Sequence, residues 1–282
     1  MQDAAHFTPF ALSHEELRNR AVDDVRAAIR AGDYVGHTAG LAQGMLQANL
    51  VILPVDLAHD FQAFCVKNPR PCPLVGVSKP GSPRMPHLGG SIDLRTDVPM
   101  YNVYRHAELY EQVEDISSYW DDDSVAFAIG CSFTFERALQ KAGIRQRHIE
   151  RDRCVSMYRT SIELTRVGPF GGGMVVSMRP IPEADVARVK AICAQYPHAH
   201  GAPIHIGDPA VIGIHDLDAP DWGEPASFEP GEVPVFWACG VTPQNALAAA
   251  RPRLCITHKP GSMLLTDVRE DERPVVDLLM RP

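Results

Sequence analysis

Two segments of the sequence share one plan, and this plan constrains the fold more than any other feature. Residues 125–132 and 233–242 each combine a short apolar run with a turn of small residues that contains a cysteine. Ser132 and Thr242 stand where a helix N-cap is expected, and a helical pattern follows each of them. The pattern predicts two strand–turn–helix units, which are typical of an α/β protein.

The segment between these two units has a different texture. Two strand patterns followed by one helical pattern occupy residues 157–195. We therefore predict an α/β fold in which a larger α/β domain, residues 1–145 plus 225–282, carries a smaller inserted α+β domain, residues 146–224.

The N-terminal half contains further recognisable elements. A capping box at Ser13 opens a helix, and apolar residues at helical spacing extend this helix to Gly32. A short buried strand is expected at 50–53, a second helix from Asp56, and one or two strands within 99–114.

Composition excludes several classes of protein. The 282 residues include 27 basic and 35 acidic side chains, and the resulting net charge of −8 argues against a nucleic-acid partner. No apolar stretch reaches the ~18 residues of a membrane helix, and residues 1–6 show no features of a signal peptide. Seven cysteines without a CxxC pair favour a reduced, cytoplasmic setting.

The cysteines of the two units, Cys131 and Cys239, are the first candidates for catalysis. Each is predicted to end a strand just before a helix N-terminus, where free N–H groups and the helix dipole favour anions and lower the pKa of a thiol. The alternative is that each cysteine is a small buried apolar residue.

Histidines and an aspartate cluster at residues 198–209. We expect acid–base chemistry from His205 or Asp208, with a simple turn that Asp208 caps as the alternative. His198, His200, His205 and Asp208 would be the ligands of a metal, but their spacing matches no standard template, and we assign none.

Further polar residues are candidates for binding a substrate. Arg159 and Arg179 lie on predicted strands, and arginine binds carboxylates through two parallel hydrogen bonds. The alternative for each arginine is a surface salt bridge. Ser132, Thr242 and the late polar turn with His258 complete the predicted binding residues.

Known nucleotide and hydrolase motifs are absent, since the sequence has neither GxxxxGK[ST] nor GxSxG. The chain instead resembles the D-glutamate cyclase family from about residue 38 to residue 267. The resemblance rests on eight motifs in order: QANLVILP (47–54), NPRPCPL (68–74), DLRTDVP (93–99), IGCSF (129–133), MYRT (157–160), SMRPIP (177–182), GAPIHIGDP (201–209) and FWACGVTPQ (236–244).

This resemblance implies a hydro-lyase of amino-acid metabolism that converts D-glutamate to 5-oxo-D-proline with loss of water. It also implies a two-part fold, a three-layer α/β main domain with a smaller inserted α+β two-layer domain. In such a reaction Arg159 or Arg179 would grip the α-carboxylate, and His205, oriented by Asp208, would move a proton. A thiol at Cys131 or Cys239 would act as general acid or as the nucleophile of a thioester. No electrons move, so no redox cofactor is expected.

Two other functions remain open at this point. The two cysteines would also suit a cofactor-independent amino-acid racemase or epimerase, in which they act as opposed acid and base at Cα. The same arginines and helix ends would suit a non-catalytic protein that binds a small carboxylate. All three interpretations predict a small-molecule ligand, with no nucleic acid and no membrane as partner, and leave a homo-oligomer open.

Overall fold

The computed structural model describes residues 12–151 and 153–279, which form two antiparallel β-sheets and the helices packed on them. Residues 1–6, on which the expectation of no signal peptide rests, lie outside this part. The α-helices are α1 (His14–Leu17), α2 (Val22–Arg30), α3 (Val55–Lys67), α4 (Phe133–Lys141), α5 (Arg147–Glu150), α6 (Val186–Cys193) and α7 (Val241–Ala250). The strands are β1 (Met45–Pro54), β2 (Leu74–Val77), β3 (Tyr101–Arg105), β4 (Glu108–Val113), β5 (Ser124–Gly130), β6 (Ser156–Glu163), β7 (Gly173–Pro182), β8 (His205–Ile206), β9 (Glu232–Ala238), β10 (Cys255–His258) and β11 (Leu264–Arg269).

The larger sheet has the order β2-β5-β1-β10-β3-β4, and β11 also pairs with β1. Strand β1 is its centre, because it pairs with β5 on one side and with β10 and β11 on the other. Every pairing is antiparallel. The structure thus combines helices with antiparallel sheets, which confirms the predicted mixed α/β class.

The smaller sheet has the order β6-β7-β9-β8 and is also antiparallel. It includes the predicted strands near 157–164 and 174–178. It also includes β9, which lies outside the predicted insertion at 146–224. The three-layer main domain and the inserted two-layer domain therefore stay a prediction.

The helices that follow β5 and β9 cross between the sheets. Helix α4 follows a strand of the larger sheet, but its Phe135 and Leu139 pack with Trp237 and Val235 of the smaller sheet. Helix α7 follows a strand of the smaller sheet, but its Ala246 and Leu247 pack in the core of the larger sheet with α3, β1 and β5. The two strand–helix turns therefore lie where the sheets meet.

The first predicted helix is wrong in extent. The capping box at Ser13 is present, but the helix ends at Leu17, and α2 begins anew at Val22. Ala21 has the extended backbone of an N-cap, and the two acidic residues that follow Val22 favour a helix N-terminus there. Within the described ranges, every helix is too short or too polar to cross a membrane.

Candidate active site

The two cysteine-bearing turns meet at Asn49 of β1. Its Nδ2 donates hydrogen bonds to the carbonyl oxygens of Ile129 and Gly130, at 3.2 and 3.0 Å. On the other turn, Gly240 lies so close that a Cβ there would be 2.6 Å from the same Nδ2. Asn49 therefore joins the turn of Cys131 to the turn of Cys239, and only glycine fits at position 240.

Burial controls the chemistry of both thiols. It raises the pKa of Cys131 to about 12 and that of Cys239 to about 11, although backbone N–H groups of Phe133 and Val241 act in the opposite direction. The expected low thiol pKa is therefore wrong. Each thiol is protonated at neutral pH, and the Sγ of Cys239 lies 3.5 Å from the Sδ of Met157.

Arg179 acts on both thiols through its charge. Its positive charge lowers the pKa of each, while burial acts more strongly in the other direction. The side chain is only 3% exposed, donates to Ser177 Oγ at 3.0 Å and forms an ion pair with Glu136. Its Nε is buried and has no hydrogen-bond partner in the described part of the chain.

Sequence reasoning missed Glu136 and His148. Burial alone would raise the pKa of Glu136, but the charge of Arg179 and the neighbouring His148 outweigh it and lower this pKa to about 2. The Nε2 of His148 lies 3.2 Å from Glu136 Oε1. The sequence held one signal for Glu136, a charged residue on the apolar face of α4 next to Phe135 and before Leu139. It held no such signal for His148.

A cleft of about 460 Å³, including its open mouth, leads to Arg179. Its wall comes from the α5 segment, from β7 around Arg179 and from residues 224–227. The wall is rich in cationic side chains, namely Arg145, Arg147, His148, Arg151, Arg153 and Arg179. Most of the rim arginines contact glutamates, as Arg153 does with Glu224 at 2.9 Å. Arg179 is the cation at the inner end of the cleft, because its side chain is buried.

Ser132 and Thr242 do not cap helices with their side chains as expected. The Oγ of Ser132 accepts from Arg179 Nη2 at 3.3 Å and donates to Glu136 Oε1 at 3.4 Å, which places it in the site. The hydroxyl of Thr242 is buried. It accepts a hydrogen bond from Val175 N at 3.0 Å and donates one to Val175 O at 3.1 Å. Thr242 therefore fastens α7 to β7.

His205 and Asp208 lie away from this site. His205 is paired with Phe236, whereas Arg179 is paired with Val235, the adjacent residue of β9. Adjacent residues of a strand project to opposite faces, so His205 and Arg179 lie on opposite faces of the smaller sheet. The Asp208 carboxylate does not orient His205 as expected, because it caps Ala210 N, and the Asp208 carbonyl contacts His205 Nε2 at 2.7 Å.

Arg159 and His258 are also separate from the thiols. Arg159 is an exposed residue 3.7 Å from Asp221, which matches the alternative of a surface salt bridge. His258 is buried in the larger sheet, where its Nδ1 accepts from Leu50 N at 3.1 Å, and burial lowers its pKa to about 4. Of the nine predicted site residues, the structure thus brings together Cys131, Ser132, Arg179 and Cys239.

The histidines near residue 200 turn to separate partners. His198 Nε2 contacts Glu270 O at 3.1 Å, and His200 Nδ1 contacts Arg70 O at 2.8 Å. In residues 12–151 and 153–279, no three His, Cys, Asp or Glu side chains come together as a set of metal ligands.

The fold and the site together define a mixed α/β protein with an arginine-rich cleft at Arg179, whose wall includes Cys154 and neither Cys131 nor Cys239. Residues 125–267 match the family model of D-glutamate cyclase. A protein of Dinoroseobacter shibae named "Putative hydro-lyase" is 56% identical over 96% of this chain and 91% of its own length. A protein of Ruegeria pomeroyi, also named as a "Putative hydro-lyase", is 57% identical over 95% of this chain and 98% of its own length.

These similarities show that the chain belongs to the D-glutamate cyclase family. Among solved structures, a nitrogen repressor-like protein of Methanococcus jannaschii aligns over 83% of this chain and 91% of its own, with 8% identity and a TM-score of 0.37.

Proposed function

We propose that this protein is a hydro-lyase that converts D-glutamate to 5-oxo-D-proline and water. The substrate amine attacks its own γ-carboxyl carbon, and a γ-oxygen leaves as water. Family membership supports the reaction class. The reaction transfers no electrons, so the proposal needs no redox cofactor, and a cytoplasmic location stays a prediction.

One observation carries the proposal, namely the unpartnered Nε of Arg179, a guanidinium whose charge also acts on two protonated thiols. A buried donor without an acceptor costs about 1–3 kcal/mol, so a carboxylate that reaches it is bound favourably. Arg179 would hold the α-carboxylate of the substrate there. The ion pair with Glu136 keeps the guanidinium in place.

The thiols then have a defined task. Cyclisation moves two protons from the nitrogen to the departing oxygen, so the site needs a donor near the γ-carboxyl group. A thiol of Cys131 or Cys239 is protonated at neutral pH and would donate one of these protons. The intramolecular geometry favours attack, because well-oriented reactions of this kind reach effective molarities of ~10⁵ M or more.

Incubation of the purified protein with D-glutamate and with L-glutamate, separately and in heavy water, tests the proposal. We expect 5-oxo-D-proline from the D-enantiomer without deuterium at Cα, measured by chiral chromatography and mass spectrometry. Deuterium at Cα together with racemised glutamate would instead support a racemase. Saturable binding of glutamate without turnover would support a binding protein, and either result would contradict the proposal.

Substitution of Arg179 by lysine tests the carboxylate subsite. Lysine keeps the charge but loses the planar donor group, so we expect KM for D-glutamate to rise about tenfold or more, which corresponds to a charge-assisted hydrogen bond of about 1.5–3 kcal/mol. Arg188→Lys, on an exposed position of α6, is the matched control. An unchanged KM in Arg179→Lys would remove this residue from the binding site.

A further inference from the structure

A carboxylate and an imidazole meet at the wall of the cleft, and the proposed function gives neither of them a part in proton transfer. Glu136 Oε1 and His148 Nε2 are 3.2 Å apart, and their side chains are 3% and 15% exposed. Nε2 makes no hydrogen bond among the described residues, so Glu136 faces the imidazole as a fixed negative charge, the kind of partner that a catalytic imidazole has in general acid–base catalysis.

The carboxylate is held in place from several sides. Arg179 forms an ion pair with Glu136 Oε1, and Ser132 Oγ donates to the same oxygen at 3.4 Å. Arg179 itself stacks near Phe135 and Trp237, with 5.2 and 5.1 Å from its Cζ to the ring centroids. Glu136 is therefore an ionised and rigid anchor for the histidine.

The imidazole has one nitrogen left for a ligand. His148 lines the cleft, and Nε2 is the nitrogen that faces Glu136. Its Nδ1 is neither hydrogen-bonded nor enclosed within the described residues. A molecule bound in the cleft at Arg179 would therefore meet an imidazole that can accept or donate a proton.

We propose that His148, positioned by Glu136, is the acid–base group that moves a proton from the substrate nitrogen to the departing oxygen. This inference rests on the proposed function. Neutral His148 takes one proton from the ammonium group, which frees the amine electron pair to form the N–C bond. The imidazolium then returns that proton to the γ-oxygen as its C–O bond breaks.

The second proton follows through the thiol. A thiol gives its proton to the same oxygen, which leaves as water, and regains one from the nitrogen of the tetrahedral adduct. Two protons thus leave the nitrogen, two reach the oxygen, and both protein groups return to their starting state.

His148 has one carboxylate in contact with it and several arginines along its own segment. The charged and titratable groups around it are Glu136 of α4, Arg179 of β7, Glu224 across the cleft, and Arg145, Arg147, Arg151, Arg153 and Cys154 on its own segment.

Replacement of His148 by glutamine tests the role, because the amide nitrogen of glutamine can keep the contact with Glu136 but cannot titrate. We expect kcat to fall ~10²-fold or more, with KM for D-glutamate within about twofold, and the acid limb of the kcat/KM profile to disappear. Added imidazole should partly restore turnover in His148→Ala. His59→Gln, at an exposed position on α3, is the matched control for a histidine substitution.

Each outcome separates the two proposals. If the wild type converts D-glutamate and His148→Gln keeps its kcat and its acid limb, the role of His148 is overturned and the proposed function stands. If the wild type converts neither enantiomer, the proposed function falls and takes this role with it. Nitrogen NMR adds a readout without turnover, since Glu136→Gln should shift the ring-nitrogen signals of His148 and leave those of His59 unchanged; unchanged His148 signals would contradict the positioning by Glu136.

Discussion

Cys131 and Cys239 each stand just before a helix, yet burial raises the pKa of the first to about 12 and of the second to about 11. The sequence predicts where these residues lie along strand and helix, because small residues, caps and helical spacing are local signals. It cannot predict how much water the folded chain removes from them. The N–H groups at a helix N-terminus act on a thiol, but here desolvation is the larger effect.

The raised pKa values predict slow alkylation at neutral pH. Only the thiolate reacts, so the labelling rate of Cys131 and Cys239 by iodoacetamide should rise about tenfold per pH unit between pH 7 and 10. Exposed Cys154 should be labelled well before either of them. Mass spectrometry of the labelled peptides measures the order, and complete labelling of Cys131 ahead of Cys154 at pH 7 would contradict this prediction.

Removal of either thiol should lower turnover without unfolding the protein. We expect Cys131→Ala and Cys239→Ala each to reduce kcat by ~10²-fold or more if the thiol donates a proton in the reaction. Cys255→Ala is the control, since burial also raises the pKa of this thiol to about 12, but its position is in β10. Wild-type turnover in one variant would exclude that thiol from the mechanism.

At the scale of secondary structure, the two strand–turn–helix units were predicted well. Strands β5 and β9 and helices α4 and α7 lie within about two residues of their expected places. The antiparallel pairing of β1 with β5 was not predictable, because apolar strands show no partner in their own residues. The break between α1 and α2 was missed because the apolar spacing runs on through it.

Gly130 tests the close approach at the end of β5. A Cβ there would lie 1.7 Å from the backbone oxygen of His198, and neither backbone can move aside cheaply. Gly130→Ala should therefore lower the free energy of unfolding by about 1–3 kcal/mol or more, measured by urea denaturation. Gly90→Ala is the control, since its Cβ would meet nothing within 4 Å. Equal stability of the two variants would contradict the close packing of β5 against residue 198.

At the scale of the whole molecule, the sequence predicted that two turns, an arginine and the imidazole of His205 converge, and the structure places His205 on the opposite face of the smaller sheet from Arg179. His205 was chosen because it stands in a dense polar segment, and only the register of β8 on β9 shows that it faces away from Arg179. Glu136 and His148 come from different elements, and their contact depends on α4 crossing to the smaller sheet. Such long-range contacts carry no local sequence signal.

Acid should destabilise the whole fold below pH 6.5. Burial lowers the pKa of His200 and of His258 to about 4, so both rings are neutral in the fold but protonate near pH 6.5 once unfolded. The stabilisation is present above pH 6.5 and is lost as pH falls toward 4, by about 3 kcal/mol for each ring. His258→Asn can keep the acceptor for Leu50 N without titrating, so its unfolding free energy should depend less on pH over this window.

The measurement is urea denaturation of the wild type and of His258→Asn at several pH values between 4 and 7.5. A wild-type stability that stays constant over this range would show that these rings are not held neutral. If the unfolding free energy of both proteins fell equally steeply with pH, His258 would not contribute to the loss of stability in acid.

The exchange of α4 and α7 between the sheets makes the two halves interdependent. Each sheet borrows one helix from the chain segment that builds the other, so a gene fragment that encodes a single sheet would leave an apolar surface bare. The thiols proposed as proton donors lie in the two strand–helix turns through which the chain crosses from one sheet to the other. Their chemistry consequently requires the whole chain, because neither sheet with its own segments alone would form the site.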